Sequence, residues 1–502
     1  MANFLYYSYL VFKMKERYKR VLLCMPPLPG VYGAPASPPI GLGYSAEFLT
    51  HHGIENDVID MRFPETKTWE ALKNKVAEFK PDLIGFAVHT YRHDVPYSLA
   101  SKIRKLNPSI KVILGGPHAS TIRAQILEET EADYALSYEA EKILLDLCNG
   151  VPIEEIKGLI YRDRGEIKSN QDAPFLDLNQ IPFPKYEKFP LEKYVRKQIN
   201  IASSRGCPYS CTFCSIKTTV GRPVRVRTPE SVVEEIKYWH NKGYKYFDII
   251  DDHFLHNKER VAKICDELIE SNMKNLHLIC GNGIRADKVD REILKKMRTA
   301  GFKQFSIGVE SSNNEVLKRM KKAETVEQID NAIKLSCEAG IDVSLMFIVG
   351  MPGETAEDIK NSIKLAMKYP VNNANFYNPI PFLGTELYEY VKANNLFVVK
   401  HPDYLNNMAH FDDPIFETPE FPLRERKKML VLTKKAEKEI LRRTFARKLK
   451  AYSFIGELSS HIVFFKPVYK LLQQANMKSH TLKKVLVYLA NKFDLRRMEA
   501  VR

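Results

Sequence analysis

The sequence predicts an α/β fold with a flavodoxin-like (Rossmann-like) doubly wound domain, a partial (β/α)6 barrel and an α-helical C-terminal extension. Two observations predict the sheets, since short apolar runs alternate with helical patterns over residues 20–150 and again over about 200–381. The proline-rich segment 177–184 predicts an extended linker, because proline restricts its predecessor to extended conformations. The predicted parts are a leader (1–19), a first domain (20–175), a linker (176–195), a barrel (196–390) and an extension (391–502).

The first domain contains five continuous apolar runs that are separated by helical patterns. Such runs are typical of a parallel sheet that helices cover on both faces. The predicted strands are Arg20–Met25, Asp57–Asp60, Leu83–Val88, Lys111–Leu114 and Tyr134–Leu136. A ligand of this sheet should lie beyond the carboxyl ends of the strands, although the fold alone does not identify it.

The second region repeats the alternation six times, which predicts a partial barrel of β/α units. The predicted strands are Ile201–Ala202, Tyr246–Ile250, Leu276–Ile279, Gln304–Ile307, Asp342–Val349 and Ala374–Tyr377.

The chain length indicates several domains, and the cysteine content indicates a reducing compartment. A chain of 502 residues is too long for one hydrophobic core and should form two or three domains. Its eight cysteines show no pairing pattern, which favours a reducing compartment and hence the cytoplasm. Residues 1–19 show neither a basic leader nor a small-residue cleavage site, so we expect no signal peptide, and Met1 and Met14 are both candidate starts.

The net charge of +15 is concentrated at the C-terminus. Residues 424–502 contain 21 Lys and Arg against 6 Asp and Glu, so the rest of the chain is neutral. A neutral body with a cationic appendage suggests that the appendage meets an anionic partner.

Three cysteines, Cys207, Cys211 and Cys214, lie in the run Arg-Gly-Cys-Pro-Tyr-Ser-Cys-Thr-Phe-Cys. Their C-x3-C-x2-C spacing suits a four-iron four-sulfur (4Fe–4S) cluster that is held by three thiolates. A zinc knuckle is the alternative, but the nearest fourth ligands, His240 and Cys265, lie well downstream. The motif resembles that of the radical SAM superfamily, which implies that S-adenosyl-L-methionine (SAM) binds the open iron and that these three cysteines are catalytic and metal-binding.

Further segments resemble the SAM-contacting strand ends of that superfamily. Phe213 stands where the family has an aromatic residue near the adenine, with packing against the loop as the alternative. Asp251 and Asp252 resemble an acidic motif whose carboxylates accept from the SAM ammonium, or else cap the following helix. Arg285 is a candidate carboxylate clamp, with a surface salt bridge as the alternative.

Two more strand ends extend this resemblance. Gly308, Glu310 and Ser311 lie in Ser-Ile-Gly-Val-Glu-Ser, which resembles the motif that binds the SAM ribose. Gly350 lies in Phe-Ile-Val-Gly-Met-Pro-Gly-Glu-Thr, which resembles the fifth-strand motif, where glycine permits close approach to the nucleoside.

The first domain resembles the cobalamin-binding module that is fused to many radical SAM enzymes. The resemblance rests on Pro-Pro after the first strand, on Pro-Pro-Ile-Gly-Leu-Gly-Tyr at the first helix and on Gly-Gly-Pro-His-Ala after the fourth strand. It implies that the residues at these strand ends contact cobalamin, with generic helix–sheet packing as the alternative for the glycines. The implied cofactor-binding residues are Pro27, Thr90, Tyr91, Gly115, Gly116 and His118.

Two departures qualify the cobalamin resemblance. The Asp-x-His-x-x-Gly loop that supplies a cobalt-ligating histidine is absent, so cobalt should lack a lower imidazole and His118 should be a loop or corrin-side contact. Relatives commonly have Gly-Glu-Gly-Glu where this chain has Tyr138-Glu139-Ala140-Glu141. Two side chains therefore enter a space that is often empty.

The resemblance covers about residues 20–390 and implies a cobalamin-dependent radical SAM enzyme of the class B methylase type. Such an enzyme methylates an unactivated carbon of a small molecule or lipid through a 5′-deoxyadenosyl radical and methylcobalamin. The implied cofactors are the 4Fe–4S cluster, SAM and cobalamin, and the implied electron donor is of the flavodoxin or ferredoxin type. The alternatives are a radical cyclase, oxidase or rearrangement enzyme, for example on a tetrapyrrole, and a non-catalytic cobalamin- or lipid-sensing protein. A methylthiotransferase is disfavoured because Cys24 and Cys148 cannot supply a second cluster.

The basic extension is predicted to be helical from about Leu423. A stripe of Leu482, Val485, Leu486, Leu489 and Phe493 indicates a basic amphipathic helix, whereas the apolar stretch 454–465 is too polar to span a bilayer. A helical cap on the barrel and peripheral attachment of 424–502 to the inner face of the membrane are the two main hypotheses. Nucleic-acid binding is disfavoured because no recognition-module signature is present.

Overall fold

A computed structural model of the protein describes residues 18–27, 35–400, 403–407 and 413–449. The chain divides into two compact units. Of the described residues, the first unit contains those within 18–193, 215–221 and 405–407, and the second contains those within 194–214, 222–404 and 413–449. Each unit contains one of the two predicted parallel sheets.

The first unit contains a seven-stranded sheet in the order β2-β1-β3-β4-β5-β6-β7, whose first five strands pair in parallel. This order confirms the flavodoxin-like prediction. The strands are β1 (Arg20–Met25), β2 (Glu55–Asp60), β3 (Leu83–Ala87), β4 (Lys111–Gly115), β5 (Tyr134–Leu136), β6 (Leu159–Asp163) and β7 (Glu166–Ser169). The helices are α1 (Ile40–His51), α2 (Trp69–Phe79), α3 (Asp94–Leu106), α4 (Pro117–Ile122), α5 (Gln125–Glu128), α6 (Glu141–Cys148) and α7 (Ile216–Thr219).

The five parallel strands were predictable because they are buried on both faces. Leu22, Ile84, Phe86 and Val112 are all at most 2% exposed and lie in one apolar cluster with residues of the covering helices. The antiparallel hairpin β6–β7 was not predicted. Its strands are short and partly exposed, and its two-residue turn, Arg164 and Gly165, has positive φ at both positions, as a tight hairpin requires.

The second unit contains a six-stranded parallel sheet in the order β15-β14-β13-β12-β11-β8, which confirms the partial barrel. Its strands are β8 (Gln198–Ile201), β11 (Tyr246–Ile249), β12 (His277–Ile284), β13 (Phe302–Glu310), β14 (Asp342–Ile348) and β15 (Asn373–Tyr377). A short antiparallel pair, β9 (Ser204–Arg205) with β10 (Arg225–Val226), was not predicted. Pairs of two residues carry no periodic signal in a sequence.

Helices separate these strands. They are α8 (Pro229–Asn241), α9 (Lys258–Glu270), α10 (Arg291–Ala300), α11 (Asn314–Arg319), α12 (Val326–Glu338), α13 (Ala356–Lys368), α14 (Glu386–Ala393) and α15 (Leu423–Leu449). Side-chain caps define where several begin, because a capping oxygen satisfies an amide of the first turn. Thr325 and Thr355 each begin a helix with a reciprocal capping box.

The C-terminal extension is helical from Leu423, as predicted, and this helix packs on the barrel. The Glu437 carboxylate accepts a hydrogen bond from Phe376 N at 2.7 Å on the edge strand β15, and Thr444 Oγ donates to Val371 O at 3.0 Å. The helix therefore belongs to the same compact unit as the barrel strands. The predicted amphipathic stripe 482–493 and the apolar stretch 454–465 lie outside the described residues. Within the described ranges, every helix is too short or too polar to cross a bilayer.

Candidate active site

The three cysteines lie on one loop that follows β8 and β9, at the carboxyl end of the first barrel strand. Backbone hydrogen bonds fix the middle of this loop, since Thr212 N donates to Met320 O at 2.9 Å and Leu387 N donates to Thr212 O at 2.9 Å. Cys207, Cys211 and Cys214 are all partly exposed, as is Phe213 between them. Partly exposed thiols on a fixed loop can reach an external ligand.

The base of the loop is held by Asp251, which is only 2% exposed. Its carboxylate accepts hydrogen bonds from Ser203 N at 2.7 Å, Ser203 Oγ at 2.5 Å and Ser204 Oγ at 2.7 Å. The neighbouring Asp252 accepts from Gly206 N at 2.9 Å, immediately before the first cysteine. The sequence predicted that these carboxylates accept from the SAM ammonium or else cap the following helix. The structure shows that both also hold the cysteine loop, whose amides and hydroxyls donate to them. A contact with SAM stays a prediction.

Arg285 is buried beneath the same loop, with its guanidinium 3.6 Å from the centre of the Tyr209 ring. Three of its N–H groups donate within the protein, to Asp287 at 2.9 Å and to the carbonyls of Lys322 and Ala323 at 2.8 Å each. The sequence predicted a carboxylate clamp with a surface salt bridge as the alternative. The structure shows a buried cation that forms a salt bridge with Asp287 and stacks on the aromatic ring of the cysteine loop. A contact between Arg285 and the SAM carboxylate stays a prediction.

A buried ion cluster lies beside Arg285 and was not predicted. Lys322 Nζ is 3.1 Å from Glu310 and 3.3 Å from Glu324, and Glu324 also accepts from Ala286 N at 2.6 Å. Burial lowers the pKa of Lys322, but the two carboxylates outweigh this and hold it above its ordinary value. A Cβ at Gly308 would lie 2.6 Å from the Glu310 carboxylate, so a larger residue there would displace this side chain. The predicted ribose residues Gly308 and Glu310 thus adjoin the cysteine loop through Lys322.

The donor set fits a cluster better than a single metal ion. Burial raises the pKa of Cys207 and of Cys211, and the positive charges of Lys322 and Arg285 oppose that rise and favour the thiolates. Within the described ranges, no group of three His, Cys, Asp or Glu side chains converges on one point as a zinc ion would require. Three thiols that are partly exposed on one loop, beside the cations of Lys322 and Arg285, fit a cluster with three protein thiolates.

Ser311 and Gly350 meet at a second buried carboxylate. Glu354 accepts from Ser311 Oγ at 3.0 Å and from Gly350 N at 2.6 Å. Burial raises the pKa of Glu354 to about 7, although these donors and Arg426 oppose the rise. Gly350 has a φ of +102°, and the space beside it is filled by the Arg426 guanidinium. The structure thus shows a protein side chain in close contact with Gly350. The approach of a nucleoside to this loop stays a prediction.

His253 is a further residue of the site that sequence reasoning missed. It is 2% exposed, its ring centre lies 5.5 Å from that of Tyr209, and both of its nitrogens are buried without a hydrogen-bond partner. Burial and the neighbouring Arg285 lower its pKa to about 3, so the ring is neutral. Its only sequence signal is that it follows the two aspartates at a strand end. Its two nitrogens fit a ligand that brings its own donor or acceptor.

In the first unit, the predicted cofactor residues gather at the carboxyl ends of β1, β3 and β4. Pro27 follows β1, and Thr90 and Tyr91 follow β3; all three are partly exposed. The two glycines after β4 are explained by packing. A Cβ at Gly115 would lie 3.0 Å from Leu136, and one at Gly116, whose φ is +104°, would lie 3.1 Å from the carbonyl oxygen of Val88.

His118 is the buried centre of an aromatic group at this edge. Its ring stacks on that of His93 with centres 4.4 Å apart, and its Nε2 is 3.0 Å from the Tyr97 hydroxyl. Its Nδ1 is buried without a partner, and burial followed by His93 lowers its pKa to about 3. A neutral imidazole with one orphaned nitrogen beside the partly exposed 89–91 loop fits a large polar ligand at this edge.

Residues 138–141, where the sequence departs from Gly-Glu-Gly-Glu, contact neighbouring residues of the first unit. Tyr138 takes a φ of +63°, which glycine would adopt more easily, and its ring lies between the Arg123 guanidinium, 5.5 Å away, and Phe175. Glu139 accepts from Leu176 N at 2.9 Å, and Glu141 is 4% exposed. The bulkier Tyr138 side chain is therefore accommodated by neighbours that pack around it.

The cysteines outside the loop are unsuited to a second cluster. Cys24 and Cys148 are at most 1% exposed, and burial raises the pKa of both, that of Cys148 to about 12. Deeply buried thiols resist the deprotonation that metal ligands require. All eight cysteines lie in the described ranges, and all eight are thiols rather than disulfides.

Comparison with known protein families matches both units. Residues 201–366 match the family model of the Radical SAM superfamily, and residues 34–147 match the model of the B12 binding domain. The first match spans the cysteine loop and four of the six barrel strands, β11 to β14, and the second spans four strands of the doubly wound sheet.

The match with this chain covers most of the length of two curated relatives. The chain is 29% identical over 394 residues to an uncharacterized methyltransferase of Pyrococcus horikoshii, covering 76% of this chain and 84% of the relative. It is 28% identical over 402 residues to the anaerobic magnesium-protoporphyrin IX monomethyl ester cyclase of Rubrivivax gelatinosus, covering 74% of this chain and 71% of the relative.

A solved structure shows the same fold. The radical S-adenosylmethionine methyltransferase TsrM of Kitasatospora setae, with cobalamin and a 4Fe–4S cluster bound, superposes with a TM-score of 0.62 at 20% identity, covering 77% of this chain and 76% of that one.

Proposed function

The chain is a cobalamin-dependent radical SAM enzyme, and we propose that it transfers a methyl group to an unactivated carbon of a small-molecule or lipid substrate. The observation that carries the proposal is the pairing, on one chain, of a three-cysteine loop at a barrel strand end with a B12-binding domain. The methyltransferase name of the Pyrococcus relative supports methylation as the outcome.

The residues of this chain would act mainly by holding and shaping the cofactor sites. When bound, the cluster and SAM supply hydrogen abstraction, and cobalamin supplies a carrier for the methyl group. Cys207, Cys211 and Cys214 would hold the cluster, while Asp251 and Asp252 keep their loop in place. The positive charges of Lys322 and Arg285 near the thiols favour the thiolate form that iron requires.

Cofactor contacts of residues other than the three cysteines stay predictions. The predicted residues lie at or near the carboxyl ends of strands in the two sheets. Phe213 would contact the adenine, and Glu310 and Ser311 would contact the ribose of SAM. Pro27, Thr90, Tyr91 and His118 would contact cobalamin, of which His118 offers an orphaned Nδ1. An electron carrier of the flavodoxin or ferredoxin type would reduce the cluster.

Radical cyclisation is the second candidate, since the Rubrivivax relative is a cyclase. It would use the same cofactors without delivering a methyl group. The mass of the product separates the two reactions, because methylation adds one CH2 to the substrate and oxidative ring closure removes two hydrogens.

We further propose that the enzyme works against an anionic membrane surface, on a lipophilic substrate. The exposed face of α15 combines the apolar side chains of Val431 and Leu432, 59% and 37% exposed, with a row of cations. The exposed cations of this face are Arg424, Lys427, Lys428, Lys434 and Lys435. Each Lys or Arg near an anionic leaflet contributes roughly 1 kcal/mol of attraction.

Flotation with liposomes tests the membrane proposal without disturbing the barrel. Lys428→Glu with Lys435→Glu reverses charge on the exposed face, and Lys360→Glu on the exposed side of α13 is the matched control. We expect the double variant to leave vesicles of anionic lipid while the control and wild type float with them. Equal flotation of all three proteins would refute the proposal.

Comparative mass spectrometry tests the methylation proposal. Lipid and soluble extracts of the native host would be compared between a gene deletion, the strain restored with wild type and the strain restored with Cys211→Ala. A compound heavier by one CH2 that depends on the wild-type gene supports methylation. A compound lighter by two hydrogens supports the cyclase, and no difference between the strains contradicts both.

A further inference from the structure

The helix of the C-terminal extension carries an arginine that is buried against the barrel. Arg426 lies in the first turns of α15 and is 0% exposed. Its guanidinium donates to Phe416 O at 2.5 Å, to Val349 O at 3.0 Å and to Asn378 Oδ1 at 3.3 Å. Val349 directly follows β14 and Asn378 directly follows β15. The arginine therefore joins the extension to the carboxyl ends of two barrel strands.

The same guanidinium lies against the backbone of the loop after β14. A Cβ built on Gly350 would come within 2.2 Å of Arg426 Cζ. Because Gly350 also has a φ of +102°, the loop combines a left-handed turn with close contact to the arginine. The position of this loop thus depends on a side chain about 75 residues away in sequence.

Glu354 continues the connection from the loop to the neighbouring strand. Its carboxylate accepts from Gly350 N at 2.6 Å and Met351 N at 3.3 Å, and its other oxygen accepts from Ser311 Oγ at 3.0 Å. Ser311 directly follows Glu310 at the end of β13. Arg426, the loop 349–354 and Ser311 therefore form one continuous set of buried contacts across three strand ends.

We propose that Arg426 is a positioning residue for SAM, holding the loop 349–354 and, through Glu354, the end of β13 in the arrangement that binds this cofactor. The inference rests on the proposed function in taking these strand ends as the SAM surface. It makes SAM affinity depend on the C-terminal extension. Arginine suits the role because its planar fork can donate to several fixed acceptors at once, which a lysine ammonium cannot match in geometry.

The test compares Arg426→Met and Arg426→Lys with Ile440→Ala. Ile440 is 3% exposed on the same helix, so its truncation loosens the helix without touching the loop 349–354. The full-length proteins would be reconstituted with iron, sulfide and cobalamin, and binding of radiolabelled SAM would be measured by equilibrium dialysis well below their unfolding temperatures. Iron content and melting temperature would be measured on the same samples.

We expect the SAM dissociation constant to rise about tenfold in Arg426→Met and several-fold in Arg426→Lys, with iron content unchanged. Ile440→Ala should lower the melting temperature yet bind SAM within about twofold of wild type. The inference is overturned if Arg426→Lys and any folded Arg426→Met bind SAM as wild type does, or if Ile440→Ala weakens binding equally. Failure of wild type itself to bind SAM would overturn the proposed function as well, which distinguishes the two.

Discussion

The raised pKa of Glu354 makes the free energy of unfolding of the barrel depend on pH. Burial raises its pKa from the ordinary value of 4.5 to about 7. The native state therefore holds this proton more tightly than the unfolded chain does, and the stability it confers is lost as pH rises from about 4.5 through 7. A pKa difference of this size corresponds to about 3 kcal/mol, of which about 2–3 kcal/mol should be lost between pH 5 and pH 8.5.

Replacement of Glu354 by glutamine removes the titrating group while keeping an oxygen that can accept from Gly350 N. The free energy of unfolding of Glu354→Gln should lack the loss of about 2–3 kcal/mol that wild type shows between pH 5 and pH 8.5. Glu357→Gln, at an exposed position of the next helix, is the matched control and should follow wild type.

Urea unfolding followed by tryptophan fluorescence measures this difference. The chain has two tryptophans, and Trp239 in the barrel unit is 0% exposed. Trp69→Phe in all samples leaves Trp239 as the reporter of barrel unfolding. Parallel pH curves for wild type and Glu354→Gln would refute the argument that a buried carboxyl group links these strand ends.

Three further predictions concern the two cofactor sites. Cys211→Ala should lose the iron–sulfur absorbance and SAM cleavage, whereas Cys24→Ala, in the other unit, should keep both; equal iron contents would contradict the assignment. Asp251→Asn, which disrupts three hydrogen bonds at the base of the cysteine loop, should destabilise the barrel by about 2–4 kcal/mol and lower the iron content on reconstitution, as urea unfolding and iron analysis would show. Gly116→Ala should destabilise the first unit by about 1–3 kcal/mol and weaken cobalamin retention on gel filtration, because its φ is +104°, whereas Gly41→Ala meets open space and should behave as wild type.

The strands of both parallel sheets were predictable because burial on two faces demands continuous apolar residues. β1 and β5 have the predicted bounds, and the other parallel strands overlap their predicted ranges. The two antiparallel pairs were missed, since β9 and β10 are two residues long and β6–β7 is short and partly exposed. The extension was expected either to cap the barrel or to attach to a membrane. Which strand α15 contacts could not be derived, because helical periodicity identifies an apolar face but not its partner.

The cysteine loop was predictable because its ligands are close together in sequence. The contacts that hold this loop and the loop 349–354 were not predictable, since the groups meet only in the fold. Arg285, below the cysteine loop, bonds to a carbonyl 37 positions away, and Arg426, at the loop 349–354, bonds to one 77 positions away. Asp251 and Arg285 were identified as candidate site residues, but their contacts within the protein were not predicted, because a sequence motif does not reveal which donors face a carboxylate. Lys322 and His253 lacked any spacing signal.

Isotope labelling tests the central claim most directly. The reconstituted holoenzyme, with a chemical one-electron reductant and an extract of the deletion strain, would be supplied with SAM that carries a deuterated methyl group. The account predicts a product in which the labelled methyl replaces one hydrogen, formed together with equal amounts of 5′-deoxyadenosine and S-adenosylhomocysteine. A product that lacks the label and has lost two hydrogens, with 5′-deoxyadenosine alone, would contradict methyl transfer.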